Sequence, residues 1–149
     1  MSSVVVSDSA CLIGLERIGQ LDLLPKLFAE IFVPPAVATE FGVRLNWLKI
    51  QAPTDAAEVA AFQSLVDEGE GEAIALAKQL GCEVILDDLQ ARKLAARQKV
   101  ACIGLLGVLI RAKDAGLVKE IRSRIEALRE QNFYFSDALV AKALRLAGE

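Results

Sequence analysis

The residues best placed to do chemistry in this chain are acids: Asp8, Glu40, Glu72 and Asp88, with Asp87 adjoining the last. The chain has no histidine. That absence removes Ser-His and Cys-His nucleophilic machines, the commonest general base and His-based metal sites. Catalysis must then run on carboxylates, hydroxyls, Lys or Arg, or a bound metal. Acids gathered in a partly desolvated cleft repel one another unless a cation or protons compensate. Hard oxygen ligands with open positions suit Mg²⁺ or Mn²⁺. Each acid alone has an ordinary reading. An Asp after a strand caps or turns, an acid near a helix end is commonly a surface residue, and one at a helix start gains from the helix dipole. The joint pattern, with acids at two strand ends and two helix ends, is what points to a site.

The elements that must position these acids follow from the flanking sequence. Asp8 ends a β-branched run over 4–7 that reads as a strand, and residues 7–9 offer helix N-cap chemistry for a helix over 11–18. Asp87 and Asp88 end a second such run over 84–86. Further strands are predicted over 31–33, over the alternating segment 46–52 and over 100–103. Pro34-Pro35 stops the strand before it, and Pro35 suits the first position of a short helix that carries Glu40. Other helices are predicted over 21–28, 55–66, 90–98, 105–115 and 118–131, with a last one capped by Ser136. Asp67-Glu68-Gly69-Glu70-Gly71 reads as a break, after which an apolar helix runs from Glu72 to Leu80 and is closed by Gly81.

Strands alternating with helices predict a mostly parallel sheet in a three-layer α/β/α fold, as a single domain over 1–149. Ligands bind such sheets beyond the C-terminal strand ends. If the strands ending at Asp8 and Asp87 are neighbours, three carboxylates meet there.

Composition is consistent with this. A length of 149 residues, 54% apolar and 25% charged, suits one domain with a core. No apolar run approaches the roughly 18 residues of a membrane span. Residues 1–6 lack a basic region and read as a strand, not a signal peptide. The expectation is a cytoplasmic protein with no membrane association. Cys11, Cys82 and Cys102 lack C-x-x-C spacing and read as buried free thiols.

Net charge is −3, which does not advertise a nucleic-acid binder, although local distribution matters more than the sum. Arg92, Lys93 and Arg97 cluster after Asp88, with Lys99, Arg111 and Lys113 further on. They are either a phosphate-holding rim or a solvated helix face. Trp47 and Tyr134 either stack bases or pack in the core or an interface. The apolar run 104–110 and Phe133-Tyr134-Phe135 are candidates for a homodimer face.

Five segments, in order, resemble the PIN-domain superfamily, the fold of VapC-type toxin ribonucleases, and in particular its small prokaryotic branch. They are Val4-Val5-Val6-Ser7-Asp8-Ser9; Val33-Pro34-Pro35-Ala36-Val37 with Thr39-Glu40-Phe41; the run from Gly69 to Ala77; Leu86-Asp87-Asp88 with Ala91-Arg92; and residues 104–117 with Ser136-Asp137. The resemblance implies metal-dependent cleavage of single-stranded RNA, with Asp8, Glu40, Glu72 and Asp88 holding Mg²⁺ or Mn²⁺. Asp87 is an alternative or additional member, Ser9 would hydrogen-bond behind the ligands, and Arg92 and Lys93 would hold substrate. It also implies an antitoxin partner and a homodimer.

Two departures stand out: Leu86 occupies a position where Thr or Ser is frequent, and Glu72 one where Asp is common. They keep open an alternative, a catalytically weakened PIN-like binding or regulatory protein. A phosphatase or response-regulator-like pocket fits less well, for want of a convincing Lys at a late strand end.

Overall fold

Consecutive valines stiffen the first strand, and a computed structural model describing residues 2–149 shows five strands: β1 (Ser2–Ser7), β2 (Phe28–Val33), β3 (Leu48–Ile50), β4 (Glu83–Ile85) and β5 (Cys102–Ile103). Met1, part of the expected 1–149 span, lies outside the described residues. All pairings are parallel, in the order β3-β2-β1-β4-β5. The nine helices of the described residues are α1 (Ser9–Arg17), α2 (Leu23–Leu27), α3 (Pro35–Phe41), α4 (Ala56–Gln63), α5 (Glu68–Leu80), α6 (Leu89–Arg97), α7 (Leu105–Asp114), α8 (Arg122–Glu130) and α9 (Asp137–Leu146).

Alternate residues of the central strands feed two cores. Val5 and Ile85 face a cluster with Leu12, Leu15, Leu105 and Leu109 from α1 and α7. Val6, Val84 and Leu86 face another with Ile74, Leu76 and Leu94 from α5 and α6. The result is the expected three-layer α/β/α fold. The helices that follow β1 and β4 thus lie on opposite faces, although the two strands are neighbours, with Ser7 opposite Ile85. Strand order reverses there, and at such a point an open parallel sheet leaves a crevice.

The largest departure from the sequence reading is at α5, which starts at Glu68, not Glu72. Asp67 caps it by accepting the Glu70 N–H at 2.8 Å, and the Glu70 side chain accepts the Asp67 N–H at 3.4 Å. This reciprocal cap satisfies two donors that would otherwise be orphaned, which offsets the poor helix propensity of Gly69 and Gly71. Gly71 also has a packing reason, since a Cβ there would lie 2.8 Å from Gln63 Cγ and 3.2 Å from the Gln63 backbone nitrogen on α4.

Two smaller readings also change, and for Trp47 one of the two expected placements is found. Leu105, Leu106, Val108 and Leu109 are buried in the chain's own core, so most of the apolar 104–110 run is not free to form a dimer face. Trp47 packs against the same core. Only Cys11 is a buried thiol; Cys82 and Cys102 are half-buried, and all three are free. Among the described residues no helix is long and apolar enough to cross a membrane.

Candidate functional site

Five helices begin near the C-terminal ends of β1 and β4, or against those that do, and each start holds a carboxylate. Asp8 caps α1 and accepts the Cys11 N–H at 2.9 Å. Asp67 caps α5, as described above. Asp88 caps α6 through the Ala91 N–H at 3.0 Å. Both oxygens of Asp87 face the Leu105 N–H at the start of α7, at 3.2 and 3.1 Å. Glu72 accepts the Ala36 N–H in the first turn of α3 at 3.2 Å. Helix N-termini carry partial positive charge, so each acid has local support that its neighbours would otherwise deny it.

That support is incomplete. Asp8 is only 5% exposed, and burial pushes its carboxyl up to about 8; the Cys11 N–H pulls it down, while the charges of Asp87, Glu70 and Asp67 raise it further. Glu70 is pushed up to about 7 by burial, then by Asp67 and Asp88. Asp87 is raised by the protein packed around its carboxylate, against the pull of the Leu105 N–H and Arg92, although the residue as a whole stays accessible. One oxygen of Asp8 is spent on the cap. Among the described residues no donor reaches the other, yet no buried side-chain oxygen lacks a partner. That second oxygen is therefore not wholly sealed from solvent.

The acids predicted from sequence fall into different settings. Asp8, Asp87 and Asp88 gather where β1 and β4 end. Glu40, exposed on α3, accepts a hydrogen bond from the Ser9 hydroxyl and so reaches the start of α1. Glu72 is bonded to Ala36 as above. Glu70, which the sequence reading placed in a break, is instead the α5 acid whose charge Asp8 feels and which feels Asp88. The missed signal was the Asp67-x-x-Glu70 spacing of a capping box. A cleft of about 350 Å³ opens beside this group, lined by Ala36, Thr39, Glu40, Asp67, Glu68 and Gly69. Leu86 is buried in the second core, so its side chain does not enter the crevice.

The basic residues divide as well. Arg92 Nη1 donates to the Leu86 carbonyl at 3.0 Å and lies beside Asp87. Gly104 makes room for both, because a Cβ there would sit 2.7 Å from Asp87 Oδ1 and 2.9 Å from Arg92 Nη1. Lys93 is exposed on the same helix. Arg111 makes a two-pronged pair with Glu83 at 2.7 and 2.6 Å. Glu83 opens β4, at the opposite end of the strand from Asp87, which takes Arg111 out of the expected phosphate rim. Lys113 is bound to the Ala147 carbonyl and Glu149.

The donor set is chemically right for a hard divalent cation: several carboxylates, of which Asp8, Glu70 and Asp87 are raised chiefly by burial, with one oxygen of Asp8 unspent. The side chains are not drawn together as a finished cage. Among the described residues no three His, Cys, Asp or Glu side chains converge as a group able to hold a metal.

A parallel sheet in this order, with acids clustered at its switch point, defines an α/β protein whose ligand-binding end is acidic. Residues 4–149 match the PIN domain, and the chain belongs to the PIN-domain family. PIN domains have a nuclease-like fold, generally use divalent metal ions and generally bind RNA. No individual curated protein matched the chain.

Proposed function

We propose that this protein is a metal-dependent endoribonuclease cleaving single-stranded RNA. The observation that carries the reading is the buried Asp8 at the end of β1, with Asp87 and Asp88 following the adjacent β4 and Glu70 of α5 close enough for its charge to raise the Asp8 carboxyl further after burial has raised it. Asp8, Glu70 and Asp88 would hold Mg²⁺ or Mn²⁺, with Glu40 reaching the site through Ser9 and Asp87 beside them. Glu72 stays in the proposal as an acid that braces α3, its placement favouring that role over ligation. The metal supplies an activated water and neutralises charge developing on the phosphate. Asp8 and Glu70 must release their protons for the cation, which couples binding to pH. Arg92 and Lys93 would meet the substrate's phosphates beside the acids.

A role as the toxin of a toxin–antitoxin pair, with an antitoxin partner, a homodimeric state and a cytoplasmic location, belongs to the same proposal and rests on family membership alone. A second reading, a catalytically weakened PIN-like binding or regulatory protein, is favoured by the absence of a converged acid trio among the described residues.

Incubating a mixed RNA pool with Mn²⁺ separates the two. The wild type is expected to cleave, and Asp8→Asn and Asp88→Asn to lose cleavage. A silent wild type, or mutants that cleave equally well, sinks the nuclease reading.

A further inference from the structure

The loop between α8 and α9 presents an aromatic side chain that the core does not use. Tyr134 is 87% exposed, while its neighbours Phe133 and Phe135 are half-buried and buried. The loop is held in shape. Asn132 adopts a left-handed conformation at φ 68°. Arg129 Nη2 donates to the Phe135 carbonyl at 2.8 Å and to Asp137 at 3.2 Å, and Ser136 caps α9 through the Leu139 N–H. Tyr134 therefore stands on a fixed base, with little further order to impose when something binds it.

The surroundings select the ligand. A shallow, open depression of about 420 Å³ is lined by Phe133, Tyr134 and Phe135, together with Arg129, Asn132 and Asp137. Aromatic surface beside donors and acceptors suits a flat ligand with an apolar face and a polar edge. A purely apolar partner would cover the Asn132 amide and the Arg129–Asp137 pair without giving them further hydrogen bonds.

Position selects it further. A Cβ on Gly14 would lie 3.0 Å from the Phe133 ring and 3.3 Å from Leu105 Cδ2, so Phe133 and Leu105 meet over that glycine. Leu105 is the residue whose N–H holds Asp87. The base of the loop thus packs close to the residue that begins α7 beside the crevice.

We propose that Tyr134 forms a stacking subsite for an unpaired base of a single-stranded RNA whose phosphate lies at the acidic crevice, with Asn132 and Arg129 at the base edge. This rests on the nuclease reading for its substrate class. Base–aromatic stacking is sequence-tolerant, so the subsite would add affinity and position without strict sequence choice.

The test is equilibrium binding of a short fluorescent single-stranded RNA to the full chain, with divalent ions chelated to prevent turnover. Tyr134→Ala is expected to weaken binding about 5-fold or more, and Tyr134→Phe and Tyr134→Trp to retain it. Replacing bases by abasic sites should weaken the wild type and leave Tyr134→Ala unchanged. An Ala variant that binds like the wild type overturns the subsite. So does a Phe variant that binds as poorly as Ala, or an Ala variant whose defect is a changed oligomeric state in sedimentation. Cleavage in Mn²⁺ is scored separately. Tyr134-dependent binding without cleavage removes the nuclease reading and leaves the subsite, whereas cleavage with Tyr134-independent binding does the reverse.

Discussion

Glu72 Oε1 accepts the Ala36 N–H at 3.2 Å, tying the start of α5 to the first turn of α3. Two residues earlier on the same helix, Glu70 lies within the field of Asp88. Residues two apart on a helix point to different sides, so the proposal gives Glu72 the bracing role and Glu70 the metal. Glu70→Gln is expected to abolish Mn²⁺-dependent cleavage with little loss of stability. Glu72→Ala should cost about 1 kcal/mol of stability and keep most of the activity. Cleavage assays and denaturant titrations of the pair check this; the reverse assignment would restore Glu72 as the α5 ligand.

Stability should depend on pH in the direction Asp8 dictates. Its carboxyl rises from 3.8 to about 8 on folding. Between those values the folded chain holds a proton that the unfolded chain has released. The folded state therefore binds more protons, and metal-free stability falls as pH climbs from about 4 to 8. Glu70, raised from 4.5 to about 7, acts in the same sense over its narrower window. Asp8→Asn keeps an N-cap but carries no charge, so it should flatten the slope and exceed the wild type at pH 8 by about 2 kcal/mol or more. Urea denaturation in chelator at pH 5, 6.5 and 8 measures this, and a wild-type stability that rises across the range contradicts it.

Gly104 is a positional requirement of the site. Asp87 Oδ1 and Arg92 Nη1 occupy the space a methyl group would need. Gly104→Ala should displace both, lowering cleavage about 10- to 100-fold through misplacement, while costing only about 1 kcal/mol of stability. A variant with normal kcat would show that Asp87 and Arg92 contribute nothing to turnover.

The legible parts of this chain are those set by local chemistry. β-Branched runs ending in Asp8 and Asp87 marked two strands, and their adjacency put the acids at one end. Pro35 took the first position of α3, as its fixed φ favours. Glu70 was hidden because Gly69 and Gly71 flank it and argue locally for a break. The compensating terms are a reciprocal cap and close packing on α4, and the second is a tertiary fact. Arg111 was misplaced for a related reason. α7 begins at the acidic end of the sheet and runs away from it at about 1.5 Å per residue, so its last turn reaches Glu83. Trp47 and Tyr134 have similar sequence credentials, and only the folded chain separates the packed ring from the exposed one.

The most direct measurement is Mn²⁺ binding, read as the loss of the free-ion paramagnetic resonance signal at pH 8. Wild type and Glu72→Gln are expected to bind the ion alike, and Asp8→Asn and Glu70→Gln to lose it. Equal binding by all four proteins, or loss only in Glu72→Gln, would contradict the metal-holding role assigned to Asp8 and Glu70.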